Sequence, residues 1–471
     1  MDGLRQLDGV FDLLIAGGGV IGAGIARDAA LRGLRVALFE KADYGSGTTS
    51  GSTRLIHGGL RYLEMLDFRL VRMDLRERET LLRIAPHLVK PLPFLVPFYD
   101  RGLLYRAKMR AGMLLYDLLS YDKSLPNHRF LTAAEARRAE PELRAAGLEG
   151  AALYWDAQVD SPERLCLENI LDARRHGAVA LNYTEVTGAR PSLDALSVRE
   201  VLDGGEREVR GRIVINASGP WFDRVAARLA PHPRRLIRTT KGIHLACDPV
   251  AAQANVLFSP VDQRLFFVIP WMGYAWVGTT DTDFDSDPAT ACATREDAEY
   301  LLRSVRPFFP ALGKIHWSNA GVRALVTGRG DESSVSRLHR VREGPAGLIS
   351  VLGGKITGYR SIAEEVVDLA CRRLRHRARA TTAESPLPPP PHHDGLAAQA
   401  RYAAREEQCR TVSDFLLRRT TLGFQRDQGI AALPEAVAAL SSELGWTAAR
   451  TAEETAAYRR HVARTQSFRE G

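Results

Sequence analysis

The period of apolar and polar positions changes several times along the chain, and the changes divide it. Val10 to Ala16 is an apolar run of strand length, a glycine turn and a helical pattern follow, and Leu34 to Phe39 is a second apolar run. The stretch Phe11 to Glu40, FDLLIAGGGVIGAGIARDAALRGLRVALFE, therefore predicts a βαβ unit with parallel strands. After it comes ADYGSGTTSGSTRLIHGGLRYLE, which has almost no apolar period and reads as a long loop of small and hydroxylic residues. Helical spacing returns from Phe68 to Ile84 and stops at Pro86, after which Pro91, Pro93 and Pro97 predict short extended pieces. Leu103 to Tyr121 predicts an amphipathic helix in which Tyr105, Met109, Met113 and Tyr116 share a face, with Arg106 and Arg110 towards another side. Thr132 to Pro141 predicts a capped helix, because Thr132 precedes Glu135 by three residues.

A second βα pattern follows. Ser161-Pro162-Glu163 opens a helix to about His176, Ala178 to Tyr183 reads as a strand, and two strands around Asp203-Gly204-Gly205 predict a hairpin. Arg212 to Asn216 is an apolar strand that ends in Ala217-Ser218-Gly219-Pro220-Trp221, a second glycine turn at a strand end. Between about Ile237 and Val326 the pattern becomes short alternating strands (Gly242 to Ala246, Arg264 to Ile269, Tyr274 to Thr279), which predicts an antiparallel sheet and a second domain. Gly347 to Leu352 is one more apolar strand, leading into GGKITG and a helix from Tyr359 to about Leu374. The run Ser385 to Pro391, SPLPPPP, predicts a stiff linker outside any core, and Gly395 to Gly471 reads as a small helical domain. The expected division is a discontinuous α/β dinucleotide domain (1–90, 150–235, 345–380), a substrate domain (91–149, 236–344), a proline-rich linker (381–394) and a helical C-terminal domain (395–471).

Composition narrows the function classes. With 471 residues, 45% of them hydrophobic, the chain can bury large cores. Five cysteines are scattered without C-x-x-C or metal-ligand spacing, so neither disulfides nor a metal site is expected. The start MDGLRQLDG lacks a basic segment followed by an apolar one, and no run approaches the roughly 18 apolar residues of a spanning helix. A cytoplasmic, reduced protein is expected. Net charge +8 favours anionic partners, either phosphorylated metabolites or an acidic lipid surface, and no nucleic-acid module accompanies it.

Within the βαβ unit Gly17, Gly19 and Gly22 fit G-x-G-x-x-G, with Gly24 as a further small position. Gly17 permits the turn, Gly19 lets backbone approach a pyrophosphate, and Gly22 lets the helix pack on the sheet with its positive end facing phosphates. Glu40, at the end of the second strand, can accept hydrogen bonds from a ribose diol. In the long loop Thr48, Thr49, Ser50, Ser52 and Thr53 are donors suited to phosphate oxygens or a ring edge.

The ordered set GGGVIGAGIARDAALRG, STRLIHGGLRYLE, NASGPW, KGIH, VIPW, GTTDTD, GVRALV and GGKITGYR resembles the FAD-dependent glycerol-3-phosphate dehydrogenases, over about the first 375 residues. The resemblance implies a fold like that of glycine and D-amino-acid oxidases, bound FAD, and hydride transfer from sn-glycerol 3-phosphate to give dihydroxyacetone phosphate. It further implies a quinone as electron acceptor and leaves a homodimer open. A quinone lives in the bilayer, so positive charge and the helix Leu103 to Tyr121, which either lies in the interface or covers the substrate domain, lead to the expectation of peripheral association with the inner face of the cell membrane. By similarity the cofactor residues are Gly17, Gly18, Gly19, Gly22, Gly24, Glu40, Thr48, Thr49, Ser50, Thr53, Leu55, His57, Gly59, Val186, Ala217, Gly219, Gly354, Lys355 and Thr357. Arg61, Arg323 and Arg337 are assigned to the phosphate and Tyr62 to the substrate; Lys355 is placed near the flavin or the substrate oxygen. His244 and His57 are the candidate bases, since imidazole titrates close to working pH. Two features depart from the family pattern: the C-terminal domain is shorter, with SDFLLRRTTLGF (Ser413 to Phe424) resembling its core helix, and Gly358 stands where a second threonine is common. An FAD oxidase acting on a related small alcohol, amino acid or 2-hydroxy acid is the alternative, and a flavin-binding subunit without catalysis is a third reading.

Overall fold

The structure, a computed structural model, describes residues 4–63, 65–99, 102–230, 235–327 and 339–469. Its first layer grows from the βαβ unit. Strand Val10–Ala16 pairs in parallel with Val36–Phe39 on one side and with Glu206–Asn216 on the other, and Val179–Leu181 and Ile349–Leu352 extend the parallel sheet outward. Arg340–Glu343 closes one edge antiparallel, and the hairpin strands Thr184–Ala189 and Ala195–Glu200 attach to Glu206–Asn216. Strands buried on both faces read as continuous apolar runs, which is why this sheet was legible in the sequence. Helices Val20–Leu31, Pro162–Arg175 and Tyr359–Leu374 cover one face and share a single core with the inner side of the sheet.

Gly24 sets the closeness of two of these helices. A Cβ there would lie 2.9 Å from the Tyr359 ring, so its role is helix packing. Gly22 has the expected task, since a Cβ would lie 2.0 Å from the Gly17 carbonyl oxygen.

The second layer is a ten-stranded, mostly antiparallel sheet. Ile237–Cys247 lies next to the edge strand Ile315–Val326 and pairs on its other side with Tyr274–Gly278, and Leu265–Trp271 and Ala254–Phe258 continue the sheet. The prolines at 91, 93 and 97 do not break the chain: Val89–Tyr99 is one strand, paired along its length with Leu148–Val159. Two- and four-residue spacings put all three missing N–H groups on the same edge, so the other edge stays free to pair. Leu148–Val159, expected to open the second dinucleotide segment from residue 150, belongs instead to this sheet.

The proline-rich run also differs from expectation. Leu387 is buried in the core of the dinucleotide domain, its N–H donates to the Ile84 carbonyl, and Arg27 donates to the Ser385 carbonyl. The run is therefore strapped to the first domain. Beyond it, helices Leu396–Glu406, Leu433–Leu444 and Ala448–Arg464 share a small core of their own. Residues 413–424 are not one helix. They include a π-helical turn, Phe415–Arg419, closed by Thr420 N–H donating to the Phe415 carbonyl, and a separate short turn, Leu422–Phe424.

Candidate active site

A cleft of about 650 Å³ runs between the two sheets, within the range of cofactor sites. One wall is the first glycine turn. Gly17 has φ +111° and Gly19 caps helix Val20–Leu31 with no side-chain partner, so the helix presents its positive end to the cleft. A Cβ on Gly19 would meet nothing closer than Thr49 Oγ1 at 3.6 Å, which leaves its cleft side open to a ligand. Glu40 also lines the cleft and accepts from the Gly18 and Ala42 N–H groups at 2.7 and 2.9 Å. Burial raises its carboxyl, and those two donors oppose the rise. Ala217, Gly219, Val186 and Gly354 complete this wall.

The hydroxyls of the long loop have protein partners. Thr48 Oγ1 donates to the Val322 carbonyl at 2.6 Å, Ser50 Oγ donates to the Gly45 carbonyl, and Thr49 Oγ1 accepts from Val20 N–H at 3.1 Å. These bonds shape the loop along the cleft. At Gly51 it meets the second sheet so closely that a Cβ would lie 2.4 Å from Gly321 Cα, and Asn319 donates to the Ser50 carbonyl.

Behind the opposite wall a row of residues runs across four strands, and Asn319 at its end lines the cleft. Gly278 is the cross-strand neighbour of His244 and of Phe267, and His244 is in turn the neighbour of Asn319. The imidazole of His244 lies over Gly278, where a Cβ would come within 2.3 Å of its ring, and it stacks on Trp276 at 5.0 Å with a 3° angle. Its Nε2 is 3.1 Å from Thr53 Oγ1, while Nδ1 has no partner among the described residues. Burial, with help from Arg323 and Arg54, pushes the His244 pKa well below 6.5, so the ring is neutral at pH 7. Arg323 is seated by the same device. A Cβ on Gly242 would lie 2.1 Å from its Nη2, which donates to Thr279 Oγ1 at 2.7 Å, and Nη1 reaches Asp281 at 3.0 Å. Arg323 and Lys355 both line the cleft.

Strand Leu55–Ile56 pairs with Leu148–Val159 and delivers His57 to the edge of the second sheet, 6.5 Å from the Phe267 ring. The His57 N–H donates to Thr357 Oγ1 at 3.2 Å, which ties the LIHGG segment to GGKITGYR. Lys355 Nζ sits 4.1 Å from the centre of the Tyr62 ring and donates to Asp74 Oδ2 at 2.5 Å. The φ of +72° at Gly59 and the nearness of the Tyr62 ring, 2.4 Å from a Cβ there, explain that glycine. Thus His57, Gly59, Tyr62, Thr357 and Lys355 form one group, while Thr53 in the loop reaches His244 on the second sheet and Arg323 stands on the strand paired with that of His244. Gly18, Gly22, Gly24 and Leu55 stand behind the wall as packing residues. Arg61 lies in the turn Leu60–Leu63, and Arg337 falls outside the described residues.

Sequence reasoning missed Asp74 and the contribution of the C-terminal domain. Arg418, Phe424, His461, Arg464 and Thr465 all line the cleft, and no local pattern places them there. Arg418 and Arg419 both reach the buried carboxylate of Asp43, at 2.5 Å each, just after Glu40. Thr465 accepts at its carbonyl from Ser318 N–H and Oγ on the second sheet. Among the described residues no cluster suited to a metal ion occurs, and the described cysteines are free.

A dinucleotide sheet with a glycine turn, joined to an antiparallel sheet across a cleft with cationic and imidazole groups, defines an FAD-dependent oxidoreductase. The family model of that description matches residues 12–363, and the one described as the C-terminal domain of alpha-glycerophosphate oxidase matches residues 359–451. Glycerol-3-phosphate dehydrogenase of Synechocystis sp. is 41% identical over 404 residues, covering 80% of this chain and 73% of that one. The chain belongs to the FAD-dependent glycerol-3-phosphate dehydrogenase family. The solved glycerol-3-phosphate dehydrogenase of Bacillus halodurans, complexed with FAD, superposes with a TM-score of 0.80 at 26% identity, covering 98% of this chain and 96% of that one. Glycine oxidase of Geobacillus kaustophilus shares the fold, with a TM-score of 0.60 at 23% identity over 82% of this chain and all of that one. The cofactor of the family is FAD, and the open side of Gly19, the helix end and Glu40 fit its pyrophosphate and ribose.

Proposed function

We propose that the chain oxidises sn-glycerol 3-phosphate to dihydroxyacetone phosphate and passes the electrons to a quinone at a membrane surface. The observation that carries the substrate is the pair of cations, Arg323 and Lys355, in the wall of a cleft whose other end is built for a dinucleotide. Arginine grips phosphate through its planar fork, and lysine adds a point charge. Arg323 binds the phosphate in this reading, with Arg61 and Arg337 as further phosphate ligands and Tyr62 hydrogen-bonded to the substrate. Bound FAD supplies the acceptor for the hydride that leaves the alcohol carbon. His244 takes the hydroxyl proton: a neutral imidazole held flat on Trp276 has a nitrogen able to accept it. His57 is the second candidate for that proton.

Electron delivery to a quinone requires contact with a bilayer, and among the described residues no helix is long and apolar enough to cross one. Helix Leu103–Leu119 supports docking from the cytoplasmic side. Its inner face buries Met113 and Tyr116, while Leu104, Leu114 and Leu118 are exposed, with Tyr121 just beyond, and Lys108 and Arg110 lie on the same helix. Met65, Leu66 and Phe68, at the start of the neighbouring helix, are exposed as well.

Stopped-flow reduction of the bound flavin tests the substrate. Fast bleaching by sn-glycerol 3-phosphate, with glycerol, 2-hydroxy acids and amino acids slow, is the expected result. Bleaching by a carboxylate substrate instead would favour the oxidase reading.

A further inference from the structure

Helix Phe68–Ile84 lies behind the cleft and turns three charged side chains inward from one face, Asp74, Glu77 and Arg78. Their spacing of three and four residues stacks them along a single stripe. Glu77 accepts a two-point contact from Arg360 at 2.5 and 2.9 Å, and Arg78 donates to Asp156 at 2.6 Å. Asp74 differs from the other two in its partner. It accepts from Lys355, whose ammonium lines the cleft, at 2.5 Å, and Asp74 itself is 1% exposed. Its second oxygen, Oδ1, has no hydrogen-bond partner among the described residues, and a Cβ on Gly358 would lie 3.6 Å from it. The carboxylate is thus committed to one cation.

That cation is held from two sides. The Tyr62 ring lies 4.1 Å beneath the ammonium, and a Cβ on Gly59 would come within 3.3 Å of Nζ, so the loop leaves room for it. Lysine is a flexible four-carbon stem, and its charge stays at one point of a cleft wall only when a partner fixes it. Asp74 supplies that partner from behind, out of reach of any ligand in the cleft.

We propose that Asp74 is the positioning residue for Lys355, holding its ammonium over the Tyr62 ring at the cleft wall and acting on the reaction solely through that lysine. The kinetic part of this inference rests on the function proposed above; the positional part does not. Two measurements separate them, both on the FAD-loaded full chain.

The first is a double-mutant cycle of Asp74→Asn and Lys355→Met, read as kcat/KM for sn-glycerol 3-phosphate. Asparagine keeps the shape of the side chain. Asp74→Asn is expected to lower kcat/KM about tenfold or more alone, and by less than about twofold when Lys355 is already methionine. Glu77→Gln on the same helix face, which touches Arg360, serves as the comparison: its effect is expected to multiply with that of Lys355→Met. Equal losses from Asp74→Asn in both backgrounds would show a general structural role and overturn the proposal. The second measurement is the rate at which an amine-acylating reagent labels Lys355, read by peptide mass spectrometry. Asp74→Asn is expected to raise that rate severalfold and Glu77→Gln to leave it unchanged. An unchanged rate in Asp74→Asn also overturns the proposal. Faster labelling, in an enzyme that never turns over sn-glycerol 3-phosphate, would leave the positioning intact and remove the proposed substrate.

Discussion

Three glycines decide where the cleft's working side chains can stand. Gly242 and Gly278 sit on neighbouring strands, and each gives up its side-chain space to a larger group from the next strand, the Arg323 guanidinium over one and the His244 ring over the other. Gly321 gives its space to the loop backbone at Gly51. The motifs KGIH, GTTDTD and GVRALV thus contain glycines for a steric reason that only the pairing of distant strands reveals. Arg323 is bonded to Thr279, Thr280 and Asp281 before any ligand arrives, so its fork is held at the cleft wall in advance. Truncating it removes a charge-assisted contact with the substrate phosphate, which costs roughly 1.5 to 3 kcal/mol. Arg323→Ala is therefore expected to weaken sn-glycerol 3-phosphate binding by about tenfold to hundredfold with flavin content unchanged. Titrating flavin reduction against substrate checks it, and an unaltered affinity would move the phosphate site elsewhere.

At the scale of elements, the legible parts were those whose order is local. Helices Phe68–Ile84 and Tyr359–Leu374 have the bounds the apolar period gives, Thr132 caps the helix it was expected to cap, and Ser161 caps the helix that the run Ser161-Pro162-Glu163 was expected to open. What local patterns could not show was which partner a polar group would choose. The loop hydroxyls Thr48 and Ser50 spend their donors on the protein's own carbonyls, and Leu387 in the proline run joins a core more than three hundred residues away in sequence from the strand Val10–Ala16. The broken segment 413–424 is the sharpest case. A regular helix would turn Arg418 and Arg419 about 100° apart, whereas the π-helical turn ends with both on the Asp43 carboxylate. Burial alone would raise that carboxyl, but Arg419 and Arg418 outweigh it and hold it at about 2. A folded-state pKa below the unfolded one gives stability that is complete above about pH 4 and is lost as pH falls towards 2. Asp43→Asn leaves two buried guanidinium groups short of a partner and is expected to cost roughly 3 to 5 kcal/mol at pH 7. Chemical denaturation of both proteins from pH 7 to pH 2 measures the gap. It should hold steady down to about pH 4 and narrow by roughly 2 to 3 kcal/mol below that, and a gap independent of pH would mean that the Asp43 carboxyl binds its proton equally well in the folded and unfolded chain.

For the molecule as a whole, the C-terminal helices add a further tie between two layers that already share hydrophobic cores beside the cleft. Arg418 and Arg419 bind the dinucleotide side through Asp43, and Thr465 binds the second sheet through Ser318, while Phe424 packs on Trp271 and Trp317. Helix Leu103–Leu119 packs Met113 and Tyr116 into the core on the face of the second sheet that carries Trp271, Trp276 and Trp317, and its outward leucines have no internal role: Leu104 is 85% exposed and Leu118 67%. A patch of that kind beside basic side chains is suited to an interface with anionic lipid, where apolar burial adds to attraction of the charges. The net charge of +8 acts in the same direction. Both contributions make separate predictions, because salt screens the charges and leaves the apolar contact in place. The protein is expected to sediment with anionic vesicles at low salt and to be released in part at high salt. Leu114→Glu with Leu118→Glu is expected to abolish sedimentation at either salt concentration while flavin reduction by sn-glycerol 3-phosphate in solution stays at the native rate. Native protein that remains in the supernatant at low salt, or a double variant that still sediments, would place the route of electrons to the acceptor somewhere other than this helix.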